Sequence, residues 1–276
     1  MSERSRTWRR LLDRGGAAVA GIGEGAALLL LMGPIVLVIW LSFGADRYTT
    51  IPPTGYGFKW YANILARGEF IPAFWVSLKI ALIVTPFALI AGTLGAFALN
   101  RFPSRGSNFI QSMLYSPIII PQVVTGIALL YFFQIVAVRD AFWNIVIGHI
   151  IITFPYVVRT VSVALARYDL ALDDAAASLG AKPAQVFWLV TLPLIRPGLF
   201  AGALFAFVMS FDDFTVTIFL TGTKTHTLPI AIYHYLEWNV DATVSAVSAV
   251  LVFLAVGVML LVERLIGLDR FVGVRG

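Results

Sequence analysis

The sequence predicts an all-α, polytopic membrane protein with about six transmembrane helices, and three observations lead there. Of its 276 residues, 59% are apolar and 13% charged, against about 45–50% and about 25% in soluble domains; the mean hydropathy is +0.87. The apolar residues gather into about six runs, each near the ~20 residues a helix needs to cross ~30 Å of hydrocarbon. The runs are continuous rather than alternating, so helices rather than barrel strands satisfy their backbone in lipid.

The first run, 26–43, follows Arg4, Arg6, Arg9, Arg10 and Arg14. That basic start resembles a signal peptide, but no small-residue cleavage site follows and further spans do, so an uncleaved signal anchor is expected. Next, Tyr56, Phe58, Trp60 and Tyr61 with Lys59 read as a short interfacial segment, its rings at headgroup depth. Trp75, Trp143 and Trp238 sit near span ends in the same manner. The second run is 74–99. The third, 109–133, contains Pro117 and Pro121, followed by Gly126. Two prolines four apart remove hydrogen bonds on one helical face and kink or unwind it. Such a break serves either as a gating hinge and pathway lining or as a fixed kink that fills the bundle.

The fourth run, 142–165, leads into a polar loop at 166–196. Alanines favour helix up to Ser178, Gly180 suits a left-handed C-cap, and Pro183 fits the first turn of a second short helix reaching about Val190. The loop reads as a helix–turn–helix elbow lying on one membrane face, with Leu179, Val186 and Phe187 as apolar knobs for a partner.

The fifth run, 197–220, repeats Gly198, Gly202, Ala206 and Ser210 at every fourth residue, a small stripe that lets a neighbouring helix approach. Asp212 and Asp213 follow, with Asp213 about 24 Å along from Pro197. Carboxylates inside a membrane are costly and mark either function or a paired structural group. Neighbours in a helix point about 100° apart. Asp213 shares a side with Ser210 and Thr217 and is the expected pathway carboxylate; Asp212 is expected to cap or to bond a neighbouring helix. Both could instead cap a helix break. The sixth run is 242–265.

Charge orients these spans. With six of them, the N-terminal arginines, Arg101, Arg105, Arg167, Lys182, Arg196, Arg264, Arg270 and Arg275 share one side. Arg47, Lys59, Arg67, Arg139 and Lys224 lie opposite. The positive-inside rule then makes the elbow and both termini cytoplasmic. The same topology accounts for the net charge of +5 without invoking nucleic acid.

At the elbow the chain resembles a known family. Asp174, Ala175, Ala176, Gly180, Val190, Leu192 and Pro193 match the coupling-loop signature of ABC importer permeases, with Asp where Glu is usual and Val where Ile is frequent. The segment from Ser210 to Gly222, with Leu228-Pro229 and Ile232-Tyr233, resembles the second permease of spermidine/putrescine-type importers, as do the prolines of the third span. The likeness extends over roughly 77–265. It implies a type I importer permease with a basic N-terminal segment (1–25), a six-helix domain (26–267) and a C-terminal tail (268–276), in a bacterial inner membrane. It also implies partners: a homologous second permease, two cytoplasmic ATPases that bind ATP and Mg2+, and a periplasmic binding protein docking on outer loops that include 221–241. Closure of the ATPases would move the elbow as a lever and alternate the access of the bundle. Polyamine is the first expectation for the solute, since an outer acidic pair suits a polycation. Amino-acid derivatives, thiamine and ferric iron are alternatives.

Other classes fit less well. The chain has no cysteine, which excludes thiolate sites. His149, His226 and His234 form no metal-ligand spacing, and there is neither a nucleophile elbow nor a phosphate-binding G-x-x-x-x-G-K-[ST] loop. No enzyme activity and no cofactor of its own are therefore expected. An ion-coupled secondary transporter using the two aspartates would leave the elbow unexplained and would want an inverted repeat, which is not visible. A channel or scaffold is the plainest alternative.

Overall fold

The computed structural model describes residues 3–48, 50–101, 106–223, 225–239 and 241–266, and the predicted apolar runs are helical except at 43, 120–121, 213–216 and 242. Arg105, Lys224, Arg270, Arg275 and the tail 268–276 lie outside the described residues, as do the side chains of the five N-terminal arginines. In order the helices are α1 (Glu3–Ser42), α2 (Lys59–Ala66), α3 (Phe70–Arg101), α4 (Ser107–Ile119), α5 (Gln122–Ile135), α6 (Ala141–Ala166), α7 (Ala171–Ser178), α8 (Pro183–Val186), α9 (Leu192–Asp212), α10 (Thr217–Leu220), α11 (Leu228–Trp238) and α12 (Thr243–Ile266). Among the described residues, four helical stretches are long and apolar enough to cross a membrane, or five with α4 and α5 taken as one bent span. The sixth expected run is α12, 24 residues long.

Two spans depart from single straight rods. The third is broken by 101° between α4 and α5. Ile120 and Pro121 are extended there, with ψ of 132° and 130°, because Pro121 has no N–H to continue the ladder. The fifth stops at Asp212; Asp213 is extended at ψ 121°, and one turn of helix, α10, resumes four residues later. This span also begins earlier than expected. α8 runs through a π-helical turn at Phe187–Thr191 straight into α9, and the Leu192 N–H reaches back five residues to Phe187 O. The elbow's second helix is thus no separate element. The ring of Pro193 conflicts with the carbonyl four residues before it, and the wider turn sits at that place.

The described chain forms two compact units. One comprises 1–67 and 238–276. In it Trp60 is buried against Ala242 and Ala246, and its indole N–H donates to Gly44 O at 2.8 Å. Asn63 donates to Thr243 Oγ1 at 2.8 Å. Of the expected interfacial rings, Trp60 turns inward and Tyr61 bonds Ser42 at 2.6 Å, while Tyr56 and Phe58 are exposed.

The other unit, 68–237, is built on α3, α6 and α9. Ile80, Val84, Ile145 and Val216 fill one end, and Ala88, Val157, Val161 and Ile195 the other. Small residues set the spacing of the three helices. A Cβ on Gly92 would stand 2.5 Å from Val157 Cβ, one on Gly198 2.7 Å from Ala164 Cβ, and one on Gly202 2.7 Å from Thr160 Oγ1. The small stripe of α9 is therefore the packing face that its spacing indicates. Asp140 starts α6 by accepting from the N–H groups of Phe142 and Trp143 at 2.9 and 3.3 Å, an ordinary N-cap.

Candidate functional site

The elbow begins with α7, which ends as its residues foretell. The Gly180 N–H donates to Ala177 O at 2.9 Å and the Ala181 N–H to Ala176 O at 3.1 Å. This paired closure requires a left-handed residue, and Gly180 supplies it at φ +87°. The turn into α8 is fixed by the Lys182 N–H donating to Gln185 Oε1 at 2.8 Å. Asp174, Ala175, Leu179 and Gly180 are exposed and Ala176 is half-buried; Leu179 is 90% exposed. The Asp174 carboxylate makes no hydrogen bond or ion pair among the described residues.

Two of the three expected knobs are corrected. Val186 is buried, and Phe187 packs edge-on against Phe97 of α3 at 5.6 Å. The π-helical turn rotates them into the chain and leaves Trp188 and Leu189 outside, 64% and 73% exposed. Leu192 and Pro193 are half-buried at the start of α9.

A group not singled out in the sequence ties the elbow to the spans. Asp173, the neighbour of the matched acidic residue, pairs through Oδ2 with Arg101 at the end of α3. Its Oδ1 accepts from Tyr168 OH and from Thr191 Oγ1 at 3.3 Å. The Arg101 guanidinium also lies over the Tyr168 ring, 5.1 Å from its centroid. Burial raises the Asp173 pKa, but the Tyr168 and Arg101 hydrogen bonds and the Arg101 charge outweigh it and hold the carboxyl below its usual range. Burial and donation to Asp173 push Tyr168 up.

Inside the bundle the residues expected on a polar side do meet, around a histidine that the spacing search set aside. His149 of α6 is fully buried. Its Nδ1 lies 2.9 Å from Ser210 Oγ and its Nε2 2.8 Å from Thr217 Oγ1. Asp213 Oδ2 accepts from the N–H groups of Val216 and Thr217 at 3.1 and 2.9 Å and from Thr217 Oγ1 at 2.9 Å.

The expectation that Asp213 faces a pathway is therefore corrected: it follows the capping alternative. Asp213 is the buried cap of α10. Asp212 is exposed, with no hydrogen bond or ion pair among the described residues. An extended residue at 213 swings the second carboxylate inward, an outcome that an ideal helical wheel cannot represent. Pro117 and Pro121 flank the bend of the third span, half-buried and exposed, and take no part in the His149 cluster.

Asp212 has company on its face of the bundle. Phe200, Leu204, Val208 and Asp212 are all exposed at intervals of four, one stripe of α9. Phe205 lies two turns from Asp212 on the same side and stacks with Tyr156 of α6 at 6.3 Å. Lys79 of α3 and Arg159 of α6 are also charged, exposed and inside spans. Among the described residues no three His, Asp or Glu side chains come together as metal ligands.

Comparison with known proteins fits this arrangement. Residues 35–267 match the family described as binding-protein-dependent transport system inner membrane component. The chain is 33% identical over 243 residues to the spermidine/putrescine transport system permease protein PotC of Escherichia coli (strain K12), covering 88% of this chain and 91% of that one. It is 33% identical over 238 residues to the putrescine transport system permease protein PotI of the same organism, covering 83% of each. Its fold matches a chain of a bacterial ABC transporter involved in the import of the acidic polysaccharide alginate, with a TM-score of 0.69, 17% identity and coverage of 92% and 96%.

Proposed function

The chain belongs to the binding-protein-dependent transport system inner membrane components, as a permease subunit of an ABC importer, and on that premise we propose that its solute is a polyamine. Asp212 carries this reading. An exposed carboxylate without a partner near the end of a membrane-spanning helix is expensive in lipid and is expected to face a wet passage or another subunit. Two turns away on the same side the Tyr156–Phe205 stack offers ring faces, which attract alkylammonium groups. Two relatives named for spermidine and putrescine transport, each 33% identical, support the same solute class.

In this reading Asp212 receives a cationic solute released by a periplasmic binding protein, and the passage forms against a homologous second permease. Ser210, Thr217 and Asp213 hold the broken helix that presents Asp212, while the bend at Pro117 and Pro121 shapes the third span beside it. Asp174, Ala175, Ala176, Leu179 and Gly180 form the exposed contact with one of two cytoplasmic ATPases, which bind ATP and Mg2+ and perform the hydrolysis. Val186, Phe187, Leu192 and Pro193 carry that contact into α9. Segment 1–25, both termini and the elbow are cytoplasmic, 26–267 is the transmembrane domain, and the membrane is a bacterial inner one. Access alternates as the ATPases close.

Lys79 and Arg159 favour a second reading, in which the solute bears an acidic group, as an amino-acid derivative does. Uptake into proteoliposomes holding the complete importer separates the two. ATP-dependent uptake of labelled spermidine, competed by putrescine and not by amino-acid derivatives, is expected. Competition in the opposite sense would replace the first reading with the second.

A further inference from the structure

Asp173 stands at the junction of three segments that a moving elbow would have to carry with it. It lies in the first turn of α7, its Oδ2 is paired with Arg101 at the end of α3, and its Oδ1 accepts from Tyr168 after α6 and from Thr191 in the π-helical turn before α9. Both carboxylate oxygens are thus engaged. Arg101 is further held by the Tyr168 ring, and the two charged side chains are only 22% and 18% exposed, so solvent screens the pair less than a surface ion pair. Asp174, one residue on, is exposed and unpaired among the described residues. Adjacent helical residues point about 100° apart, so one aspartate can face outward while the other holds α7 to the bundle.

We propose that Arg101, Tyr168, Asp173 and Thr191 form a latch that makes α7 move as one body with the cytoplasmic ends of α3 and α9, and that these four are positioning residues for energy coupling. The proposal rests on the permease reading above. It differs from the matched loop signature, in which neither Arg101 nor Asp173 takes part. Without the latch, α7 is joined to α9 through the turn at Gly180, the short α8 and its packing against the π-helical turn. A push on Leu179 or Asp174 would then be absorbed by the turn.

The test uses the assembled importer and measures solute carried per ATP hydrolysed. Arg101→Gln and Asp173→Asn are each expected to lower that ratio by about fivefold or more, the scale of a coupling free energy between sites, with the ATPases still bound and basal hydrolysis retained. Tyr168→Phe, which keeps the ring under Arg101 and loses the hydroxyl, is expected to fall between them and wild type. The charge-exchanged double variant, Arg101→Asp with Asp173→Arg, is expected to recover part of the loss. Wild-type ratios in both single variants overturn the latch, as does a loss of assembly that lowers hydrolysis and transport in proportion. Hydrogen exchange of 171–178 in the full-length permease decides the same point without partners. Faster exchange in Asp173→Asn supports the latch and unchanged exchange overturns it, even if the assembled complex carries no polyamine and the solute reading has failed.

Discussion

Asp213 Oδ2 lies 3.4 Å from His149 Nε2, and this contact joins the middle of α6 to the point where α9 has just ended. The same oxygen caps α10, so one atom holds a helix break open and ties it to a neighbouring span. The broken span is a built feature, with the Val216 and Thr217 N–H groups satisfied inside the protein as the membrane interior requires.

Removing that acceptor is expected to destabilise the permease. Asp213→Ala leaves the buried Val216 and Thr217 N–H groups without partners, at about 1–3 kcal/mol each. Asp213→Asn keeps one acceptor oxygen and costs less. Melting temperatures in detergent are expected in the order wild type, Asp213→Asn, Asp213→Ala. A wild-type melting temperature for the alanine variant would contradict the capping role.

Asp212→Asn is expected to behave differently. Its side chain bonds nothing among the described residues, so stability is expected to stay within about 0.5 kcal/mol of wild type. Uptake of a polyamine at limiting concentration is expected to fall about tenfold, the effect of losing ~1.4 kcal/mol of attraction. Unchanged uptake would remove Asp212 from the passage.

At Gly180 the strain is in the backbone alone. A Cβ there meets nothing within 4 Å, yet φ is +87°. Gly180→Leu is expected to cost about 1–2 kcal/mol and to uncouple solute-stimulated ATP hydrolysis, whereas Gly180→Asn, which tolerates that conformation, is expected to retain most of it. Equal stimulation in the two variants would show that the turn's geometry is not what matters.

Gly92 poses the opposite case, with space as the constraint. An added Cβ would stand 2.5 Å from Val157 Cβ and 2.9 Å from Phe154 O. Gly92→Ala is expected to force α3 and α6 apart at about 1–3 kcal/mol. Gly257→Ala, which meets nothing within 4 Å, serves as the neutral control, and the comparison is read in the same melting assay.

Much of this was legible beforehand, and the limits are instructive. Continuous apolar runs located five of the six spans to within a few residues, because length and hydropathy are local properties; the fifth, expected at 197–220, instead runs 183–212. Gly180 announced its turn, since few other residues tolerate that φ. The break after Asp212 was legible only as an alternative, because apolar residues continue on both sides, although Asp is a favoured helix-capping residue. Once the chain leaves the helix at 213, wheel arguments lose their phase, which is why Asp213 turns inward and Asp212 is left exposed. His149 and Arg101 were missed for another reason. Their partners stand 61 to 72 positions away, Ser210 and Thr217 for the histidine and Asp173 for the arginine, and no local pattern records such a meeting.

The π-helical turn at Phe187–Thr191 also sets an angle. A helix works like a screw thread, and one residue more or less shifts its phase by about 100°. The direction in which Leu179 and Asp174 point therefore depends on the number of residues between the elbow and α9 as well as on the contacts that hold α7. Deleting a single residue from 187–191 would leave α9 seated on Gly198 and Gly202 and swing the exposed face of α7 more than a quarter turn about its axis. In this stretch chain length is a steering setting, and substitutions at the outward-facing Trp188 and Leu189 are expected to be tolerated where a one-residue deletion is not.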